Sequence, residues 1–65
     1  NLTEKQSNAL QLAVSHDFYE WPRKISLDEI SAIHGMKRRT FQENLRKAEA
    51  KLVPKLIKSF FERAQ

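Results

Sequence analysis

The residues best able to do chemistry in this sequence are crowded between positions 37 and 47: Lys37, Arg38, Arg39, Thr40, Gln42, Glu43, Arg46 and Lys47. Guanidinium forks match phosphates and the guanine edge, and a carboxamide matches adenine, so the set suits recognition of nucleic acid. No comparable set exists for catalysis. Nucleophile, base and orienting group do not converge, and a chain with one glycine, Gly35, has no glycine-rich loop to cradle phosphate. The absence of cysteine excludes thiol chemistry, disulfides and zinc held by cysteines. His16 beside Asp17 has no third ligand within helical reach and reads as a polar helix end. His34 falls in the last turn of a second helix, where a cation offsets the dipole. Neither an enzyme nor a metal or other cofactor is expected.

The elements that must position the cationic set lie between Ser26 and Leu52. Ser26 with Glu29 is a capping box, and Ile25 with Ile30 can close a hydrophobic staple. Leu27, Ile30 and Ile33 then give a short helix one apolar face. Gly35 stands where that helix ends and φ turns positive. Met36 plugs the turn, and Phe41, Leu45, Ala48 and Leu52 form the apolar stripe of a second helix from Arg38. Arg38, Arg39, Gln42, Glu43 and Arg46 are left facing outward. This is the pattern of a helix-turn-helix with the second helix as reader. Lys37, Arg38 and Arg39 occupy the positive end of that helix, where cations are disfavoured. Binding of a polyanion is the simplest compensation.

Upstream, Thr3 and Gln6 make another capping box, and Leu10, Ala13 and Val14 continue at helical spacing, predicting helix 1 over about Glu4 to Ser15. Phe18, Tyr19 and Trp21 crowd a loop that Pro22 keeps from being helical. They read first as a plug over the small core and alternatively as a platform on which bases stack. The expected core is Leu10, Ala13, Val14, Leu27, Ile30, Phe41 and Leu45, roofed by Phe18 and Trp21. Downstream, Pro54 should kink or break the long helix, or begin a further one. The apolar residues from Leu52 to Ala64 then cover about half a helix circumference, wider than the stripe of ~100° that one small core needs. The predicted organisation is a DNA-binding unit over residues 1–52 and a helical tail over 53–65. Leu56, Ile57, Phe60 and Phe61 of the tail would pair two copies into a homodimer.

Sixty-five residues make one small domain. No apolar run approaches the ~20 residues of a membrane span. No secretory signal is visible, and a first residue other than methionine suggests a fragment or processed product. The net charge of +4 is uneven: residues 1–35 carry −2 and residues 36–65 carry +6. A basic half that begins at the turn suggests nucleic acid or an anionic membrane surface as partner; double-stranded DNA is the partner expected, and no membrane.

Several of these features together resemble the helix-turn-helix domain of archaeal regulators of the bacterio-opsin activator type. More distantly the chain is similar to the fourth region of bacterial sigma factors. The likeness rests on Leu2-Thr3 with Gln6, Leu10 and Ala13, then on the loop ending Trp21-Pro22-Arg23. Ser26-Leu27-Asp28-Glu29-Ile30, Gly35, the helix Arg38–Leu45 and the run from Arg46 to Leu52 complete it, over about residues 2–52. The resemblance implies an all-α fold and a DNA-binding transcription regulator, usually the C-terminal domain of a longer protein with a sensory or unrelated N-terminal part. Three positions depart from the family pattern. Lys37 stands where Ser usually caps the reading helix, so a phosphate would take over that role. His34 replaces a leucine-like residue, and Ile33 falls where the family is often charged, which suggests that this surface meets a partner.

The leading expectation is sequence-specific binding of double-stranded DNA in the cytoplasm, at the nucleoid. Arg38, Arg39, Gln42 and Glu43 would reach base edges in the major groove. Lys37, Thr40, Arg46 and Lys47, with Arg23 and Lys24 from the loop, would hold the backbone. Two other readings stay open: a protein-interaction or dimerisation module carried by the tail, and a non-specific binder of nucleic acid that stacks bases on the aromatic loop.

Overall fold

A computed structural model of the chain describes residues 1–63 and holds three helices: α1 (Glu4–Ser15), α2 (Leu27–Ile33) and α3 (Arg38–Arg63). No strand occurs among the described residues. Both capping boxes form. The Thr3 side chain accepts from the Gln6 amide while the Gln6 side chain accepts from the Thr3 amide, and Ser26 and Glu29 do the same at α2. Each exchange satisfies two of the amides that a helix start leaves without partners.

The two short helices also end alike. His34 is the C-cap of α2, Gly35 follows with φ +63°, and the Met36 amide donates to the Ser31 carbonyl at 2.8 Å. At α1, His16 is the C-cap, Asp17 takes φ +58°, and the Phe18 amide donates to the Ala13 carbonyl at 2.9 Å. Both are Schellman ends with an apolar side chain two residues past the cap. Phe18 is buried in the core and Met36 packs against it. The pair of ends thus turns the chain twice and plugs the core from two sides.

α3 packs against both short helices and carries the core with Phe41, Leu45 and Ala48. Ala9 and Ala13 meet it from α1 and Ile30 from α2. Small side chains on α1 let its backbone come close to α3, and this displaces part of the expected core. Ala9 is buried in place of Leu10, which is half-buried beside Leu12, while Val14 is 59% exposed. Leu27 is half-buried, and Ile33, on the far side of α2, is exposed. The roof is Phe18 alone: Trp21 is 92% exposed, because the Schellman turn aims Phe18 inward and the loop then carries Trp21 away.

α3 does not break at Pro54. Pro54 and Ala50 are both exposed, so the carbonyl that Pro54 leaves without a donor opens to water. The helix therefore continues past the core, and α3 as a whole is one rod of about 39 Å at 1.5 Å per residue along the 44 Å long axis of the molecule. From Val53 onward every described residue is exposed; Ala64, the end of the expected apolar set, lies outside the described residues.

Candidate nucleic-acid interface

α2, the Gly35 turn and the first half of α3 form a helix-turn-helix whose outer surface is set by helical phase. Phe41, Leu45 and Ala48 point into the core. At about 100° per residue, Arg39, Glu43 and Arg46 then point almost directly away from it. Arg38 and Gln42 lie on the flank toward α2, and Thr40 and Lys47 on the other flank. Lys37, Arg38, Arg39, Thr40, Glu43, Arg46 and Lys47 are all exposed, and Gln42 is half-buried.

Local electrostatics distinguish these side chains. The Lys37 carbonyl accepts the first bond of α3 from the Phe41 amide at 3.0 Å, which makes Lys37 the residue at the cap position. The first turn of α3 holds no acidic residue. One carboxylate comes from outside the helix: Asp28, in the first turn of α2, meets Arg38 Nε at 2.8 Å. That contact ties the two helices of the motif together at their starts. With both side chains more than half exposed it contributes only ~0–1 kcal/mol. Arg39 is held more loosely, 3.6 Å from Glu43 one turn on.

The loop cations differ in the same way. Arg23 donates through Nε to the Phe18 carbonyl at 3.0 Å, and its guanidinium carbon lies 4.1 Å from the centroid of the Phe18 ring. It therefore holds the loop shut over the core. Lys24 is exposed and lines a cleft with Arg23, Asp28 and Arg38.

Three contacts that position the interface connect residues far apart in sequence. The Tyr19 hydroxyl donates to a carboxylate oxygen of Glu49, pinning the aromatic loop to α3. Burial, and then this hydrogen bond to a negative partner, push the Tyr19 phenol well above its ordinary range. Lys51 donates to the Asn1 carbonyl at 3.1 Å and to Gln6 Oε1 at 2.8 Å, fixing the start of α1 on α3. His16 and His34 bring Nε2 to Nε2 at 2.9 Å and join the ends of α1 and α2. The repeated order His-Asp-Phe and His-Gly-Met is the sequence signal that could have announced the last pairing.

The tail residues Leu56, Ile57, Phe60 and Phe61 are each more than half exposed. Leu56 also borders an apolar groove with Leu10, Val14, Leu52 and Val53. No described helix is long and apolar enough to cross a membrane.

Residues 2–54 match the protein family described as "HTH DNA binding domain". A protein of Haloferax volcanii, provisionally described as a transcriptional regulator, is 35% identical over 52 residues, 80% of this chain. The matched region is 9% of that relative's length, so the chain spans a small part of the protein it resembles. No solved structure gives a significant match.

Proposed function

Given that the chain belongs to the HTH DNA binding domain family of bacterio-opsin activator type, we propose that it reads specific sequences of double-stranded DNA through the first turns of α3. It would do so as the binding unit of a larger transcription regulator in the cytoplasm, without catalysis. The observation that carries this reading is the exposed cationic start of α3, opposite its buried face. Arg38, Arg39, Gln42 and Glu43 then meet base edges, with Arg bidentate to guanine and Gln to adenine. Lys37, Thr40, Arg46 and Lys47 hold phosphates beside them, and a phosphate at Lys37 caps the uncompensated helix start. Lys24 extends the backbone contact from the loop. Arg23 contributes its charge from its place over Phe18.

The tail belongs to the same proposal. Its apolar face is turned about a third of a turn from the face that packs on the core, and Leu56, Ile57, Phe60 and Phe61 remain exposed. A second copy covers them in an isologous pair, residues 1–52 forming the DNA-binding unit and 53–65 the dimer element. Two reading helices then address half-sites about one helical turn apart. Selection from a pool of random duplexes tests the reading. The expected result is one enriched motif with binding that weakens steeply with salt. Equal retention of all duplexes, or a preference for single strands, would leave only a non-specific binder, and no retention would leave the protein-interaction module.

A further inference from the structure

His16 and His34 each lack a ligand partner in the sequence, and the fold supplies one to both. Each is the C-cap of a helix, and the matching Schellman ends of α1 and α2 bring the two rings edge-on, 5.1 Å between centroids, with the Nε2 atoms 2.9 Å apart. Two helix C-termini, the negative ends of their dipoles, therefore converge on one point. Neither helix has a Lys or Arg in its last turn to offset this. A metal cation between the rings would be favoured there. As the rings stand, the Nε2–H of one imidazole donates to the Nε2 of the other. A metal ion replaces that hydrogen through both lone pairs.

The spacing is that of an N–H···N hydrogen bond, and it also bears on which ion could take the hydrogen's place. With metal–imidazole bonds of about 2.0–2.1 Å, nitrogens at right angles stand about 2.9 Å apart, and nitrogens at a tetrahedral angle about 3.4 Å. The hydrogen-bonded separation equals the right-angled span, so such an ion could enter with little movement of either ring. We propose that His16 and His34 form a two-imidazole site for one divalent cation of the nitrogen-preferring, tetragonal or octahedral class, Ni²⁺ or Cu²⁺, ahead of tetrahedral Zn²⁺. Among the described residues no group of three His, Cys, Asp or Glu surrounds an ion. Water completes the shell, and the ion acts as a clamp on the fold. The cleft beside His16 is lined by Asp17 and Glu20 against Lys24, so its carboxylates outnumber its ammonium groups. Closing the clamp links the end of α1 to the end of α2, just before the turn into α3. This proposal stands whether or not α3 reads bases.

The test is calorimetric titration of the whole 65-residue chain with NiCl₂, CuCl₂ and ZnCl₂, alongside thermal unfolding with each metal and with EDTA. One ion per chain is expected, with Tm raised most by Ni²⁺ or Cu²⁺ and restored by EDTA. His16→Gln and His34→Gln should each abolish both effects. If a variant fails to fold, the wild-type NMR spectrum decides: substoichiometric Cu²⁺ should broaden the imidazole signals of His16 and His34 before any others. Absence of binding, Zn²⁺ bound in preference, a shift retained by both variants, or broadening that begins elsewhere would overturn the site and leave only a hydrogen-bonded pair.

Discussion

Arg38 and Arg39 are neighbours of one type, yet the fold treats them differently. Arg38 is held by Asp28 across the motif, while Arg39 leans on Glu43 along its own helix. Under the proposed function, Arg38→Ala and Arg39→Ala should each lose ~1–3 kcal/mol of preference at one base pair. Lys47→Ala should weaken binding to every duplex and flatten the salt slope by about one unit. Competition between selected and random duplexes separates the two behaviours; identical effects of all three variants would remove the base-reading role. Tyr19 makes a second prediction at this scale. Its phenol is raised above the ordinary ~10 of an unfolded chain by burial and by donation to Glu49. The folded state therefore keeps a proton that the unfolded state releases. The resulting stability is complete below about pH 10 and is lost as pH rises further toward the folded value. Urea denaturation from pH 9 to 11 should show that decline, and Tyr19→Phe should make it shallower. Legibility follows the range of the interaction. The phase of Arg39, Glu43 and Arg46 could be read from residue spacing, because each depends on its own helix. The engagement of Arg38 by Asp28, and of Arg23 by Phe18, could not, because each needs the packing of a second element.

Elements show the same division. Thr3 with Gln6, Ser26 with Glu29, and Gly35 were legible because caps and turns are settled within three or four residues. So was the stripe Phe41, Leu45 and Ala48, since a long helix repeats its phase. The face of α1 was not. Size alone favours Leu10 and Val14, but the closeness of α1 to α3 chooses Ala9 and Ala13. Asp17 hid a Schellman end because the residue there is not glycine. Two substitutions test this level by urea denaturation. Leu45→Ala removes a 3% exposed side chain from the centre of the helix contacts and should cost ~2–5 kcal/mol, a large share of the stability of so small a domain. Gly35→Ala should cost ~1–2 kcal/mol through its positive φ, and not through a clash, because a Cβ there meets nothing within 4 Å. An unchanged midpoint in either variant would contradict the assigned role.

The whole molecule is a compact head with a rod leaving it. α3 serves two bodies in succession: its first half completes the head, and its second half turns an apolar face outward. Leaving Phe60 or Phe61 in water forfeits the ~1.5–3 kcal/mol that burial of a large apolar side chain provides. A two-fold partner would recover this on both chains. Sedimentation at rising concentration should therefore show a monomer passing to a dimer. Phe60→Glu and Phe61→Glu should hold the chain monomeric with the head still folded, since neither ring touches the core. A wild type that stays monomeric at every concentration would remove the dimer from the proposal. Because α3 crosses Pro54 without a break, the rod would transmit the geometry of that pairing to the reading end.

Trp21, the only tryptophan of the chain, stands 92% in water on the outside of the loop. Its indole meets nearly the same solvent in the native and the unfolded chain, so intrinsic fluorescence should change little as the domain melts. That makes it a reporter of contact rather than of folding. Anything that settles on the loop will dry the ring, and its emission will move to the blue or be quenched. Adding a duplex, a single strand or more of the chain itself, one at a time, would show by colour which of them covers this corner of the molecule.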